Sequence, residues 1–238
     1  MKILLLDIET SPNEAYVWGL WNQNVATSQI INTSKVLCWA AKWFHEKEIM
    51  FSSIYETSTK RMLTRIHKLL DEADVVVHYN GTRFDIPTLN KEFLIHDMKP
   101  PAPFKQVDLL KVARNRFRFV SNKLDFVAKA LNLGQKVRHK GFELWVDCAH
   151  NDPEAWKKMK EYNIGDVKLL EMVYISVLPW IKNHPNHALY SNGPLVCPNC
   201  ASLHYHKRGI AFAQLLKYQR YQCQDCGHWF RDNKCINK

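Results

Sequence analysis

Apolar residues run unbroken from Ile3 to Leu6 and resume at Ile8, a density that predicts a buried strand over Met1–Glu9. Strand-like runs follow at Ala15–Trp21 and Val36–Phe44, with a shorter one at Ile49–Tyr55. The period then changes. Met62, Leu63, Ile66, Leu69 and Leu70 recur at helical spacing within Thr59–Ala73, with Ser58 or Thr59 as the cap. Val75–Tyr79 reads as another short buried strand, Pro87–Ile95 as a helix, Lys99–Pro103 as a proline-rich break, and Leu124–Leu131 as an amphipathic helix ending near Gly134. Asn151-Asp152-Pro153 sets a capping residue before a proline at the first helical position. From Trp156, Met159, Val167, Leu170 and Val173 keep helical spacing to about Ile181. This order of strands and helices predicts an α/β domain over residues 1–183. Residues 184–194 are polar and rich in Asn and Pro, so they read as a linker, and residues 195–238 differ in composition and form a separate small domain.

Composition narrows the class. With 46% hydrophobic and 24% charged residues in 238, the chain is an ordinary globular protein. Its net charge of +10 and pI near 9.2 favour a polyanionic partner. No apolar run approaches the roughly 18–20 residues that span a bilayer, so no membrane association is expected. The run Ile3–Leu6 stops at Asp7, too soon for a signal-peptide core, which predicts a cytoplasmic protein with reduced thiols. Its seven cysteines then need a reason other than disulfides.

Three places carry carboxylates in informative positions. Asp7 and Glu9, at i and i+2 near the end of a buried strand, share one face, where two negative charges are costly without a cation. Asp85 follows a strand end through Gly81-Thr82-Arg83-Phe84, a location that suits a cleft and equally suits a helix cap. Tyr162 and Asp166 lie four apart on the last long helix, with Gly165 between them. A missing side chain at Gly165 lets something approach the helix backbone, against a helix-propensity cost of roughly 1 kcal/mol relative to Ala.

Leu5-Leu6-Asp7-Ile8-Glu9-Thr10 resembles the first exonuclease motif of the DEDD (DnaQ-like) superfamily. Asn80-Gly81-Thr82-Arg83-Phe84-Asp85 resembles its second motif in the form found in family-B DNA polymerase proofreading domains. Tyr162-Asn163-Ile164-Gly165-Asp166 resembles the third, in the variant with tyrosine four residues before the aspartate. Ser121–Ala128 is similar to the stretch that precedes the third motif there. The resemblance covers about residues 1–182. It implies a ribonuclease H-like mixed sheet flanked by helices, and hydrolysis of terminal phosphodiesters from a 3′ end by two Mg²⁺ or Mn²⁺ ions about 3.5–4 Å apart. It further implies that Asp7, Glu9 and Asp166 hold one ion, that Asp7 and Asp85 hold the other, and that Tyr162 positions the attacking water. Asp108, after the apolar Val107, stays outside this set, as a carboxylate that either supports the ligands from behind or is structural. Lys136, Arg138, His139 and Lys140 form a basic loop that either touches phosphates or is simply solvated.

Cys197-Pro198-Asn199-Cys200 and Cys223-Gln224-Asp225-Cys226 form a paired CxxC pattern that resembles zinc-ribbon modules. Each CxxC turn aims two thiolates at one tetrahedral ion, and iron in a rubredoxin-type site would use the same ligands. The intervening residues are enough for two short strands. Cys38 and Cys148 read as core thiols, Cys235 as a spare. From His184 on, seven Lys and Arg face two acids, a net +5, with Tyr205, Phe212, Tyr218, Tyr221, Trp229 and Phe230 interleaved. About half of these rings are expected in the small core and the rest on a nucleic-acid-binding surface.

The sequence thus predicts a stand-alone 3′→5′ exonuclease, monomeric, acting on single-stranded or frayed DNA, with a zinc ribbon that helps bind the strand. RNA is the alternative substrate, and an inert nucleic-acid-binding adaptor the alternative class. Proofreading would have to act in trans, with a replication or recombination protein as partner.

Overall fold

The computed structural model describes residues 1–190 and 193–236. In chain order the strands up to residue 108 are β1 (Ile3–Thr10), β2 (Glu14–Ala15), β3 (Ile30–Asn32), β4 (Val36–Trp43), β5 (Met50–Ser53), β6 (Val75–His78) and β7 (Lys105–Asp108). The helices are α1 (Thr59–Glu72), α2 (Asp85–Ile95), α3 (Leu109–Arg116), α4 (Leu124–Ala130), α5 (Glu143–Ala149) and α6 (Pro153–Val177). A five-stranded mixed sheet in the order β5-β4-β1-β6-β7 forms the centre. β1 pairs antiparallel with β4 and parallel with β6.

The unbroken apolar run of β1 follows from this position. Leu5 packs with Val167, Leu170 and Val173 of α6 on one face, and Leu4, Leu6 and Ile8 pack with Met62, Leu63 and Ile66 of α1 and Leu89 and Phe93 of α2 on the other. A strand covered on both faces has no solvent side and no polar alternation. Each fully buried leucine here contributes about 1.5–3 kcal/mol of transfer free energy.

The caps form as expected. Ser58 Oγ accepts a hydrogen bond from Arg61 N (3.3 Å) at the start of α1, and Asp152 Oδ1 accepts one from Ala155 N (2.7 Å) ahead of Pro153 in α6. The helical spacing toward Ile181 ends in a 3₁₀ turn, Leu178–Trp180, at Pro179.

Several elements depart from the sequence pattern. Within Ala15–Trp21 only Ala15 pairs, as the end of β2 against β3, and Tyr16 to Trp21 form a largely exposed loop in which Trp18 is 99% accessible. Aromatic and β-branched residues favour strands only where a neighbouring strand exists to pair with them. α2 begins at Asp85 rather than Pro87. β7, α3 and α5 were not legible: β7 is a four-residue edge strand with exposed Lys105 and Gln106, and α3 and α5 are eight and seven residues long.

The tail folds as a three-stranded antiparallel sheet, β8 (Tyr205–Phe212), β9 (Lys217–Cys223) and β10 (Trp229–Cys235), in the order β10-β9-β8. Two strands lie between the cysteine pairs and the third follows them. The stretch read as a linker is anchored at its start, where buried His184 Nε2 lies 2.7 Å from Tyr174 Oη. Asn199 Nδ2 donates to the carbonyls of Leu178 (2.8 Å) and Ile181 (3.0 Å), and His228 Nδ1 lies 2.9 Å from the Pro179 carbonyl. The module therefore seats on the C-terminal end of α6. No helix among the described residues is long and apolar enough to cross a membrane.

Candidate active site

β1 alternates, so Asp7 and Glu9 stand on the same face as Leu5, toward α6. Tyr162 and Asp166 are one turn apart on the facing side of α6. One carboxylate oxygen from each of Asp7, Glu9 and Asp166 lies within 4.8 Å of the others. Asp85 reaches the same neighbourhood by a different route. The β1–β6 pairing stops at Leu5↔Val77, which leaves the next β1 amides open on that side. Asp85, in the first turn of α2, takes one of them, accepting from Ile8 N at 3.2 Å. It stands beside the three-carboxylate group rather than within it.

Each carboxylate is held by a donor. Asn163 Nδ2 donates to Asp7 Oδ2 (2.7 Å), and Trp145 Nε1 donates to Glu9 Oε2 (2.9 Å). Lys136 Nζ donates to Tyr162 Oη (2.9 Å) and to Asp166 Oδ2, and its ammonium lies 5.0 Å from the Tyr162 ring centroid. The other oxygen, Asp166 Oδ1, is buried without a partner. His139 meets the rings of both Trp145 and Tyr162 edge-on, at 5.0 and 4.8 Å.

Gly165 explains how Lys136 arrives. A Cβ at Gly165 would lie 2.9 Å from Val137 Cγ2, so its absence lets the loop after α4 press against α6. The residue before Val137 is then delivered into the site. Of the basic loop, Lys136 is half-buried and reaches the carboxylates, while Arg138, His139 and Lys140 are exposed, His139 with its ring edge-on to Trp145 and Tyr162.

Crowded negative charge in a dry setting leaves a clear electrostatic mark. Burial, then the charges of Glu9 and Asp85, push the Asp7 carboxyl well above its usual range. Burial raises Glu9 to about 7 against the opposing Trp145 hydrogen bond, and raises Asp85 to about 7 against the Ile8 amide. Asp166 is raised by burial and lowered by Lys136, with a net rise. Burial alone would lower Lys136, but Asp166 and Tyr162 outweigh it and hold the ammonium charged. One lysine against four carboxylates leaves the site electron-rich, and hard oxygen donors with an unpartnered buried Asp166 oxygen suit a divalent cation.

All five residues singled out from the sequence, Asp7, Glu9, Asp85, Tyr162 and Asp166, thus meet at one end of the sheet. Sequence reasoning missed Asn163 and Trp145 and left Lys136 undecided. Asn163 lies inside the third motif, three residues before Asp166, and was within reach; Trp145 had no spacing signal. Asp108 is structural. Its Oδ1 accepts from Asn80 N (2.9 Å) and Leu110 N (3.1 Å), tying the turn after β6 to the start of α3.

The second cluster is in the tail. The sulfurs of Cys197, Cys200, Cys223 and Cys226 lie within 4.8 Å of one another. Cys197–Cys226 and Cys200–Cys223 are each 3.6 Å apart, far beyond a disulfide bond. The two CxxC turns match, with Ala201 N on the Cys197 carbonyl (2.9 Å) and Gly227 N on the Cys223 carbonyl (3.2 Å). Hydrogen bonds among the thiols push Cys226 down to about 4 and Cys197 up, so the cluster shares its protons unevenly. Four converging sulfurs fit a tetrahedral metal. Cys38 and Cys148 are buried and Cys235 is exposed.

Residues 4–178 match the family model described as the RNase_H superfamily. No curated protein matches the chain. Among solved structures, the family B DNA polymerase from the hyperthermophilic archaeon Pyrobaculum calidifontis shares the fold, with a TM-score of 0.57 and 18% identity. The similarity covers 75% of this chain and 25% of that polymerase, so the chain spans about a quarter of its length. The family match takes in β1, α2 and α6, which together carry the four carboxylates, and the chain belongs to the RNase H superfamily.

Proposed function

We propose that the protein is a metal-dependent 3′→5′ exonuclease that hydrolyses terminal phosphodiesters of DNA at single-stranded or frayed 3′ ends. The observation that carries this reading is the convergence of Asp7, Glu9 and Asp166 around a buried, unpartnered Asp166 oxygen, with Asp85 alongside. The RNase H fold makes nucleic acid the substrate class.

Asp7, Glu9 and Asp166 would hold one Mg²⁺ or Mn²⁺, and Asp7 with Asp85 a second. Bound there, divalent ions acidify water and neutralise charge on the leaving 3′ oxygen. The chain's own groups orient the rest. Asn163 and Trp145 fix the Asp7 and Glu9 carboxylates. Tyr162 positions the attacking water through its hydroxyl. Lys136 holds Tyr162 and Asp166 in register and adds positive charge where phosphate arrives. Residues 1–183 form the catalytic domain, and residues 195–238, joined through 184–194, form a ribbon whose four cysteines bind zinc. The ribbon assists strand binding.

A polarity assay tests this, using 5′- and 3′-labelled DNA and RNA with Mg²⁺, Mn²⁺ or EDTA. Stepwise loss of 3′ nucleotides from DNA, abolished by EDTA, is expected. Degradation of RNA alone would change the substrate, shortening from the 5′ end would reverse the polarity, and intact strands with Mn²⁺ would end the nuclease reading.

A further inference from the structure

The sheet of the cysteine module has two unlike faces. On one, Tyr205, Tyr221 and Phe230 pack ring to ring at 5.1–5.4 Å, and Tyr221 Oη donates to Asp232 Oδ2 at 3.1 Å. This is the module's small core. The other face carries Tyr218 and Arg220 of β9 and Trp229 and Arg231 of β10, because side chains two apart share a side. The six aromatic residues therefore divide, with Tyr218, Phe212 and Trp229 left outside the core cluster.

Arg220 and Arg231 are directly opposite each other across the β9–β10 ladder. Like charges at such a pair destabilise a sheet unless something negative lies between them. Among the described residues the protein does not provide it. Asp232 projects to the core face, and Asp225 is taken up by Ser202 Oγ (2.6 Å) and His204 (3.2 Å) at the cysteine turn. Neither arginine is salt-bridged among the described residues. Each guanidinium instead lies on a ring: Arg220 is 5.3 Å from the Trp229 centroid and Arg231 is 3.8 Å from that of Tyr218.

Arg220 is also held in place. Its Nε donates to the Arg208 carbonyl (2.9 Å). β8 bulges beside it, between Lys207 and Ile210, at Gly209 with φ +76°. A Cβ there would meet the Arg220 guanidinium at 3.4 Å, an ordinary contact, so it is the left-handed backbone of the bulge that calls for glycine. A surface arginine so fixed has little entropy left to lose when it binds.

We propose that the Arg220–Arg231 pair grips the phosphate backbone of a single-stranded nucleic acid, whose bases stack on Trp229 and Tyr218. Fixed cations beside half-exposed rings are what sequence-tolerant single-strand binding requires. The proposal rests on the nuclease reading for its ligand class, and it gives that reading a second contact. The module sits past Leu178, twelve residues beyond Asp166 on α6, or about 18 Å along the helix axis. That distance is roughly five stacked nucleotides at about 3.4 Å each. A strand long enough can touch both places; a trinucleotide cannot.

The test uses full-length zinc-loaded protein without added Mg²⁺ or Mn²⁺. Binding of a labelled oligothymidylate of about twenty nucleotides is followed by anisotropy across a KCl series. Arg220→Ala and Arg231→Ala should each weaken binding about 5- to 20-fold and reduce the salt slope by roughly 0.7. Trp229→Ala should weaken it by about 5-fold or more with the slope unchanged. With Mn²⁺, all three should cleave a thymidine trinucleotide at the wild-type rate. Zinc content of one per chain confirms that a variant's module is folded, and Arg220→Gln replaces any variant that fails this check. Wild-type affinity and slope in zinc-loaded arginine variants would overturn the proposal, as would equal loss of single-strand and duplex binding in Trp229→Ala. If the wild-type protein binds through this face but cleaves nothing, the nuclease reading fails and this surface stands. If it cleaves while the arginine variants bind normally, the reverse holds.

Discussion

From Ile3 to Ile181 the protein buries three clusters of apolar side chains, and its four converging acids sit against them. Beyond Gly193, the buried hydrophobic residues among those described are Cys197, Tyr221 and Cys223. The first region can tolerate buried carboxylates because its core supplies far more free energy than their desolvation removes. The second has no such reserve, so its four thiols converge where a metal would supply the missing stability. Surface charge follows the same division. Lys2 and Lys160 of the first region lie over rings and also have carboxylates, Glu72 and Glu56, whereas Arg220 and Arg231 of the tail have rings and no salt bridge among the described residues. On the proposed reading, a region with its own core would use a metal for chemistry, and a region without one would use it to fold.

The largest effect should come from breaking the tail alone. Structural zinc in small modules contributes about 10–16 kcal/mol. Cys197→Ser, or chelation, should unfold residues beyond about 195 and leave the first region intact. Hydrogen exchange would show protection lost in β8–β10 and retained in β1 and α6. Loss of protection in both regions would mean that the contacts of Asn199 and His228 bind them into one cooperative unit.

Next in size is the converse change. Asp7→Ala or Asp166→Ala should lower hydrolysis at least about a thousandfold, roughly 4 kcal/mol of barrier, without loss of structure. Circular dichroism and zinc content should match the wild type. Near-normal turnover in either variant would separate the carboxylates from the chemistry.

A smaller effect concerns pH. Glu9 and Asp85, each raised to about 7 when metal-free, hold protons in the folded state that ordinary carboxylates have lost. That uptake stabilises the metal-free protein at low pH, and the contribution disappears as pH rises through about 7. Metal must displace the same protons, so it binds more tightly as pH rises. The gain in Tm on adding excess Mn²⁺ should be small near pH 5.5 and about 5–10 °C near pH 8. An equal gain at both would show that these acids are not the ligands.

The smallest change expected is in Tyr162→Phe, about tenfold in rate, or 1.4 kcal/mol, with metal affinity unchanged. Lys136 would lose one partner and keep Asp166. An unchanged rate would remove the hydroxyl from the reaction.

Much of this was legible in the chain itself. Period and punctuation identified β1, α1 and α6, because a strand buried on both faces and a capped amphipathic helix leave local marks that no distant partner alters. The same held for the Asp7/Glu9 pair, the Tyr162/Asp166 spacing and the two CxxC turns, whose geometry is set within five residues. The Tyr16–Trp21 segment misled because its residues favour a strand and no neighbour is there to complete one. β7 escaped notice for the opposite reason, being a polar edge held by its neighbour β6.

What tertiary structure alone decided is which of these local pieces meet. Trp145 reaches Glu9 across 136 residues and Asn163 reaches Asp7 across 156, separations over which no sequence period persists. Lys136 belongs to the site because Gly165 has no side chain to keep Val137 away, a fact written on a different helix. The division of the tail's rings into core and open face likewise depended on strand register, which sets the side of every residue at once. Sequence determines what a segment can form and which chemistry it carries; packing, through contacts between segments far apart in the chain, determines where that chemistry is assembled.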